Sequence, residues 1–255
     1  MFPRPALLQE ICTPFTERLC WGHRSRMHAA GEKSRMTRLH MFRHGQSVWN
    51  ILGRLQGQQD SPLTDLGYGQ AQDAARELAG EDIWAAYSST SSRAVTTTQI
   101  LLGDRNLPIH QMDQLRKIDL GAWEGEHKEE VRRRFPAEYQ AFWEHPEQYQ
   151  SVDGETFHEL QARAVEAILG ILKDNRGHTV LLVSHGAFIK ATLCFFEGRP
   201  LHTLWEPPFP ENLSHSIIAE GDSRRWEVML HCQGKRAGRQ LNGSRCDECE
   251  SGEVE

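Results

Sequence analysis

Two histidines in this sequence occupy matching local settings. His44 follows the run Arg38-Leu39-His40-Met41-Phe42-Arg43 and precedes Gly45, and His185 follows Thr179-Val180-Leu181-Leu182-Val183-Ser184 and precedes Gly186. Each run reads as a buried strand. In an open α/β sheet, ligands bind just beyond the carboxyl ends of the strands. If the two strands are neighbours, both imidazoles point into one crevice. A single histidine at a strand end can do no more than cap it through a backbone hydrogen bond, but two in equivalent places argue for shared chemistry.

Two arginines extend the pattern. Arg43 immediately precedes His44, and Arg93 begins a helix just after the strand that ends Tyr87-Ser88-Ser89. A cation at a helix N-terminus opposes the helix dipole, so Arg93 is there either because the surface solvates it or because a site needs it. Forked guanidinium groups match phosphate oxygens. Two Arg and two His converging on one crevice would make a dianion pocket with no need of a metal or cofactor. The cations would also hold an imidazole neutral. A neutral imidazole in line with phosphorus can accept a phosphoryl group while the flanking cations stabilise the charge of the transition state.

The elements that must position these residues alternate. After the strand at 38–43, Thr64 reads as an N-cap for a helix from Asp65 to Ala79. A strand from Ile83 to Ser88 and a helix from Ser92 to Leu102 follow. Residues 127–145 read as helical with Pro136 interrupting, and Glu155 to Lys173 carries Phe157, Leu160, Ala164, Ile168, Leu169 and Leu172 at helical spacing. The strand at 179–184 leads through a glycine turn into an apolar helix from Ala187 to Phe196. This order predicts an α/β fold, a three-layer α/β/α sandwich around a mostly parallel central sheet.

Composition sets the bounds. A chain of 255 residues with 38% hydrophobic content can bury one sizeable core. The net charge of -6 argues against a general nucleic-acid or polyanionic-membrane binder, though one local pocket can still be cationic. No stretch reaches the roughly 18 apolar residues of a membrane span, and Gln9, Glu10 and Pro14 break up the only candidate for a secretory signal. Cys12, Cys20, Cys246 and Cys249 lie near the ends, and only Cys194 and Cys232 fall in the patterned middle; this fits a reducing, cytoplasmic setting.

Residues 1–35 show no sustained periodicity and read as an N-terminal extension, either a targeting or regulatory segment or an upstream start; the lack of a complete targeting signature favours the upstream start. The patterned domain spans 36–232, and 233–255 reads as a disordered, solvated polar tail. In that tail Cys246-Asp247-Glu248-Cys249 has half of a zinc-ligand spacing with no second pair to complete it.

The run Arg43-His44-Gly45-Gln46-Ser47-Val48-Trp49-Asn50, with Arg54, Gln56-Gly57, Asp60, Pro62-Leu63-Thr64, Gly67 and Gln70-Ala71, resembles the signature of the histidine phosphatase superfamily, which includes cofactor-dependent phosphoglycerate mutases. The likeness continues through Ser88-Ser89, Arg93-Ala94, Thr97, Leu115-Arg116, Leu120-Gly121-Ala122-Trp123-Glu124-Gly125, Gly154-Glu155-Thr156-Phe157 and Val183-Ser184-His185-Gly186, covering about residues 36–231. The resemblance implies a phosphohistidine on His44, with Arg43, Arg93 and His185 completing the phosphate pocket. It implies that Asn50 fixes phosphoryl oxygens and that Gln56 and Gly57 border the substrate, a small phosphorylated metabolite. Gly45 and Gly186 would allow close backbone approach. Trp49, Trp123 and Trp143 read as packing residues.

At one position the chain departs from that pattern. Lys117 stands where the family usually carries the glutamate that protonates the leaving group. Three readings stay open: Asp119 or Glu124 supplies the proton; Lys117 anchors a second anionic group of the substrate; or the chain binds phosphate esters with weakened turnover. The resemblance further implies hydrolysis rather than mutase chemistry, because mutase members carry a longer segment than the one here between Gly125 and Gly154. Arg132, Arg133 and Arg134, consecutive on a helix, point in different directions and read as a solvated face. Within the phosphatases, the short form resembles the broad-specificity and α-ribazole phosphatase members.

Overall fold

Leu39 to Phe42 and Val180 to Val183 are apolar or nearly so at every position, as strands covered on both faces must be. In the computed structural model, which describes residues 36–221 and 225–234, these runs are the two central strands of a mixed six-stranded sheet. The strands are β1 (Arg38–Arg43), β2 (Ile83–Ser89), β3 (Ile109–Met112), β4 (Thr179–Ser184), β5 (His215–Glu220) and β6 (Trp226–Gln233), in the order β3-β2-β4-β1-β5-β6. The β3-β2-β4-β1 portion is parallel, and β5 and β6 join it antiparallel. The expectations for residues 1–35 and for most of the tail, Cys246 and Cys249 included, lie outside the described residues.

The helices among the described residues are α1 (Val48–Ile51), α2 (Asp65–Glu77), α3 (Ser92–Leu102), α4 (Lys128–Arg134), α5 (Pro136–Glu144), α6 (Phe157–Asp174) and α7 (Gly186–Phe196). Side chains alternate across a strand, and the core divides accordingly. Leu39, Met41, Val180 and Leu182 face a cluster built with α6 and α7, whereas Phe42, Leu181 and Val183 face one built with α2 and α3. The sheet is therefore covered on both faces, as the order of elements predicted.

Local chemistry explains most boundaries. The Thr64 side chain accepts from the Gly67 amide to start α2, and Thr156 accepts from that of Glu159 to start α6. Pro136 ends α4 and occupies the first turn of α5, dividing the stretch read as one interrupted helix. Three strands escaped the sequence reading. β3 is a short, half-exposed edge, and β5 has no continuous apolar run. β6 did carry a signal, the alternation of Trp226, Val228, Leu230 and Cys232 with more polar neighbours. Trp123 and Trp143 pack as expected, in an aromatic group with Phe142, Tyr149, Phe157 and Trp205 that seats residues 126–153 on α6.

The loop after β1 must lie close against α2. A Cβ at Gly45 would come within 2.7 Å of the Gly67 carbonyl oxygen, and one at Gly67 would run into that of Gln46. Helix propensity alone would favour Ala over Gly by about 1 kcal/mol at either Gly67 or Gly69 in α2. Nothing lies near a Cβ at Gly69. Urea unfolding is therefore expected to show Gly69→Ala neutral or stabilising and Gly67→Ala destabilising by about 1–3 kcal/mol. Equal effects at both sites would contradict this packing.

Candidate active site

The register of β1 on β4 places Arg43 opposite Ser184. His44 extends the ladder one step, its amide donating to the Ser184 carbonyl at 3.0 Å, so His44 and His185 leave adjacent strands side by side. Their ring centroids are 5.2 Å apart and both rings are buried. The expected convergence of the two imidazoles is thus present. His185 also caps the N-terminus of α7, which adds the favourable end of a helix dipole for an anion.

Arg93 lies in the first turn of α3 and is 0% exposed. Its guanidinium donates to the carbonyls of Gln59 at 2.9 Å and Gly57 at 3.3 Å and to the Asp60 carboxylate at 2.8 Å. Its Nε lies 3.4 Å from His44 Nε2, and one terminal nitrogen lies 3.3 Å from His185 Nδ1. The same Asp60 carboxylate accepts from the backbone amides of Ser92 and Ser61, supplying the negative charge that this helix start otherwise lacks. Partial burial acts to raise the Asp60 pKa, but the Arg93 charge and hydrogen bonds from Ser92 and Arg93 outweigh it and hold it below its ordinary value.

Hydrogen bonds fix the tautomers. His44 Nδ1 faces its neighbour's carbonyl, that of Gly45, at 2.8 Å, so it carries the proton and Nε2 keeps its lone pair. His185 Nδ1 accepts from Arg93, so its Nε2 donates to Ser89 Oγ at 2.8 Å. Burial, followed by the charges of Arg93, His44, Lys117 and Arg43, pushes the His185 pKa well below the ordinary imidazole value, and the ring is neutral. Arg43 donates to the Pro210 carbonyl at 2.7 Å. Gly186 leaves room beside it, since a Cβ there would sit 3.1 Å from Pro210 and 3.7 Å from the Arg43 side chain.

Lys117 and Gly57 bear on this group, and Asn50 and Gln56 are tied to Ser47 in the loop after β1. Lys117 is buried, and its charge acts on His185. Asn50 Oδ1 accepts from the Ser47 amide and hydroxyl, both at 3.0 Å, and Gln56 donates to Ser47 Oγ at 2.7 Å. Gln56 Oε1 is a buried acceptor with no partner among the described residues. Gly57 has φ +51°, and a side chain there would collide with Glu124.

Glu124 and Asp119, the two carboxylates that the sequence offers as proton donors, both accept hydrogen bonds from nearby backbone amides. Glu124 accepts from the amides of Gln58, Leu120 and Gln59, and Asp119 accepts from that of Gly121. Both carboxylates shape the loops around the crevice. Glu155 does similar work: paired with Arg163 at 2.7 Å, it accepts from the Asp119 amide, while Arg163 holds the carbonyls of Gln114 and Arg116. Asp60 and Ser89 stand in the family-like runs, where type and spacing alone give them no role. Asn212, whose amide donates to the His44 carbonyl at 3.1 Å, lies in an irregular loop that carries no periodic signal and is not legible in the sequence.

A parallel-sheet crevice that brings together two imidazoles, two arginines and a lysine is cationic and suited to an anionic ligand. The comparisons agree with such a site. The model of the histidine phosphatase superfamily (branch 1) matches residues 39–233, and the chain belongs to that superfamily. Phosphoserine phosphatase 1 of Hydrogenobacter thermophilus is 31% identical over 196 residues, covering 77% of this chain and 92% of that one. The metal-independent phosphoserine phosphatase of Arabidopsis thaliana is 31% identical over 162 residues, 62% of this chain and 68% of its own. The solved structure of Bacillus stearothermophilus YhfR superposes with a TM-score of 0.76 at 39% identity, covering 78% of this chain and 98% of that one. Phosphoglycerate mutases and an α-ribazole phosphatase are among the relatives as well. No described helix is long and apolar enough to cross a membrane.

The Asp60–Arg93 contact has a pH signature. Because the folded carboxyl is held below its ordinary value of 3.8, the unfolded chain takes up that proton first as the pH falls. The contact's stabilisation is therefore present above that value and lost as the pH drops through the folded pKa. Thermal melts are expected to show Asp60→Asn less stable than wild type near neutral pH, with the gap closing below about pH 4. A gap that widens in acid would contradict the assignment.

Proposed function

We propose that the chain is a metal-independent phosphatase that hydrolyses small phosphomonoesters through a phosphohistidine on His44. The observation that carries this reading is the state of His44: Nδ1 is committed to a carbonyl, and the Nε2 lone pair faces a buried guanidinium. A phosphate drawn in by Arg43, Arg93 and the His185 site takes over the Arg93 Nε donor, which frees that lone pair to meet phosphorus. His44 Nε2 attacks, the bond from phosphorus to the ester oxygen breaks, and that oxygen leaves with the electron pair. Arg43, Arg93 and Lys117 stabilise the charge spread over the phosphoryl oxygens and leaving group. Water then attacks phosphorus, the P–N bond returns its electrons to Nε2, and phosphate leaves; the proton that water gives up balances the one the ester oxygen takes up to leave as the alcohol. Asn50, Gln56 and Gly57 border the substrate in this reading, and Gln56 Oε1 offers an acceptor to a bound donor.

Hydrolysis is favoured over mutase chemistry by the short cover at 126–153. Arg132, Arg133 and Arg134 are exposed, with Arg133 paired to Glu130 and Arg134 to Glu126, so they form a solvated face and not a second phosphate pocket. The relatives' phosphoserine activity makes carboxylate-bearing phosphomonoesters the first to try. A cytoplasmic setting belongs to the same proposal and fits the buried thiol of Cys194.

Phosphate release from aryl, sugar and amino-acid phosphates, with EDTA present, is expected to persist in wild type and to fall more than about 10³-fold in His44→Ala. Release that depends on a chelatable metal, or survives without His44, would overturn the proposal. In the same panel, Lys117→Glu restores an acid near the leaving group. It is expected to raise turnover of alkyl phosphates by about 10-fold or more while leaving aryl phosphates, whose leaving groups need little protonation, nearly unchanged. Equal changes on both classes would place Lys117 away from the leaving group.

A further inference from the structure

The stretch Glu206-Pro207-Pro208-Phe209-Pro210 has few amides of its own, because proline has no N–H. Such a strap cannot hold itself by backbone pairing and depends on donors that reach its carbonyls. Two cationic side chains do so. Arg43 donates to the Pro210 carbonyl at 2.7 Å, and Lys190 donates to those of Glu206 at 2.7 Å and Pro208 at 3.3 Å. Helix α7 thus grips the strap at two points about one turn apart: Gly186 against the Pro210 ring, and Lys190 against the carbonyls upstream. Beyond the strap, the Leu213 amide donates to the Arg43 carbonyl and Asn212 to that of His44.

Lys190 is 0% exposed. An ammonium has three protons to place, and burying it is costly unless each finds an acceptor. The third faces His231 Nε2 at 3.4 Å, and His231 Nδ1 in turn donates to Glu197 at 2.7 Å, which fixes the imidazole as an acceptor toward Lys190. An apolar side chain would fill this space without the desolvation cost, so the lysine's contribution is to define where the strap runs.

We propose that Lys190 is a positioning residue for phosphate binding: by fixing the strap at Glu206 and Pro208, it fixes the Pro210 carbonyl that orients the Arg43 guanidinium. The inference rests on Arg43 being a phosphate ligand, as in the proposed function. Lys190 itself does not touch the substrate.

The test is a double-mutant cycle read by binding of inorganic phosphate, measured by calorimetry, and by KM and kcat on an aryl phosphate. Lys190→Met is expected to weaken phosphate binding and raise KM about tenfold with a smaller change in kcat, within the usual range of coupling between residues that share partners. Lys190→Arg, which can still donate to both carbonyls, should recover most of the loss. In an Arg43→Ala background the further effect of Lys190→Met should fall below about twofold. Wild-type phosphate affinity in Lys190→Met, or the same loss in both backgrounds, would overturn the inference while leaving the proposed function standing. Arg43→Ala with undiminished phosphate affinity would overturn both. Should Lys190→Met fail to fold, Lys190→Leu, which likewise has no donor, is read against the same two outcomes.

Discussion

A guanidinium that cannot shed its proton and has no access to water must be answered by acceptors on every side. Arg93 is in that position, and much of the surrounding structure supplies its answer. The Asp60 carboxylate, the Gly57 and Gln59 carbonyls and the lone pairs of two imidazoles converge on it. The loop from 57 to 60 can wrap so tightly because Gly57 adopts a positive φ, and Glu124 then ties the next two amides down. The loop bearing Glu124 is steadied in turn by the close approach of Gly154 to Asp119 and Gly121, and by the Glu155–Arg163 pair. Removing the Arg93 charge would leave Asp60 and several carbonyls without their donor.

The same constraint accounts for the electrostatics. Burial and the charges of Arg93, His44, Lys117 and Arg43 all act on His185 in the direction that disfavours its protonation. A crevice of that kind keeps a buried imidazole neutral. The acidic balance of the whole chain does not reach this interior, where short distances and exclusion of water favour the local charges.

Much of this was legible in the residues. The strands bearing His44 and His185 are apolar runs of the kind only a doubly covered parallel strand requires, and their matched endings foretold a shared crevice. Arg93 was conspicuous because it opposes a helix dipole. What periodicity could not show is compensation at a distance. Asp60 finds Arg93 across 33 residues and Glu124 finds Gln58 across 66, in loops where no period operates. Glu124 and Asp119 read as candidate acids because a sequence gives their type but not the backbone amides that each one meets. The antiparallel β5 and β6 lie where the alternation that defined the other elements gives way to a meander.

The central claim is that His44, and not its equally buried neighbour His185, becomes covalently phosphorylated. Rapid mixing with an aryl phosphate, an alkaline quench that preserves phosphohistidine, and peptide mass spectrometry test it directly. The account predicts one acid-labile phosphoryl group on the peptide carrying His44, absent in His44→Ala and present in His185→Ala. A phosphoryl group on His185, or turnover with no phosphoenzyme at any time point, would contradict it.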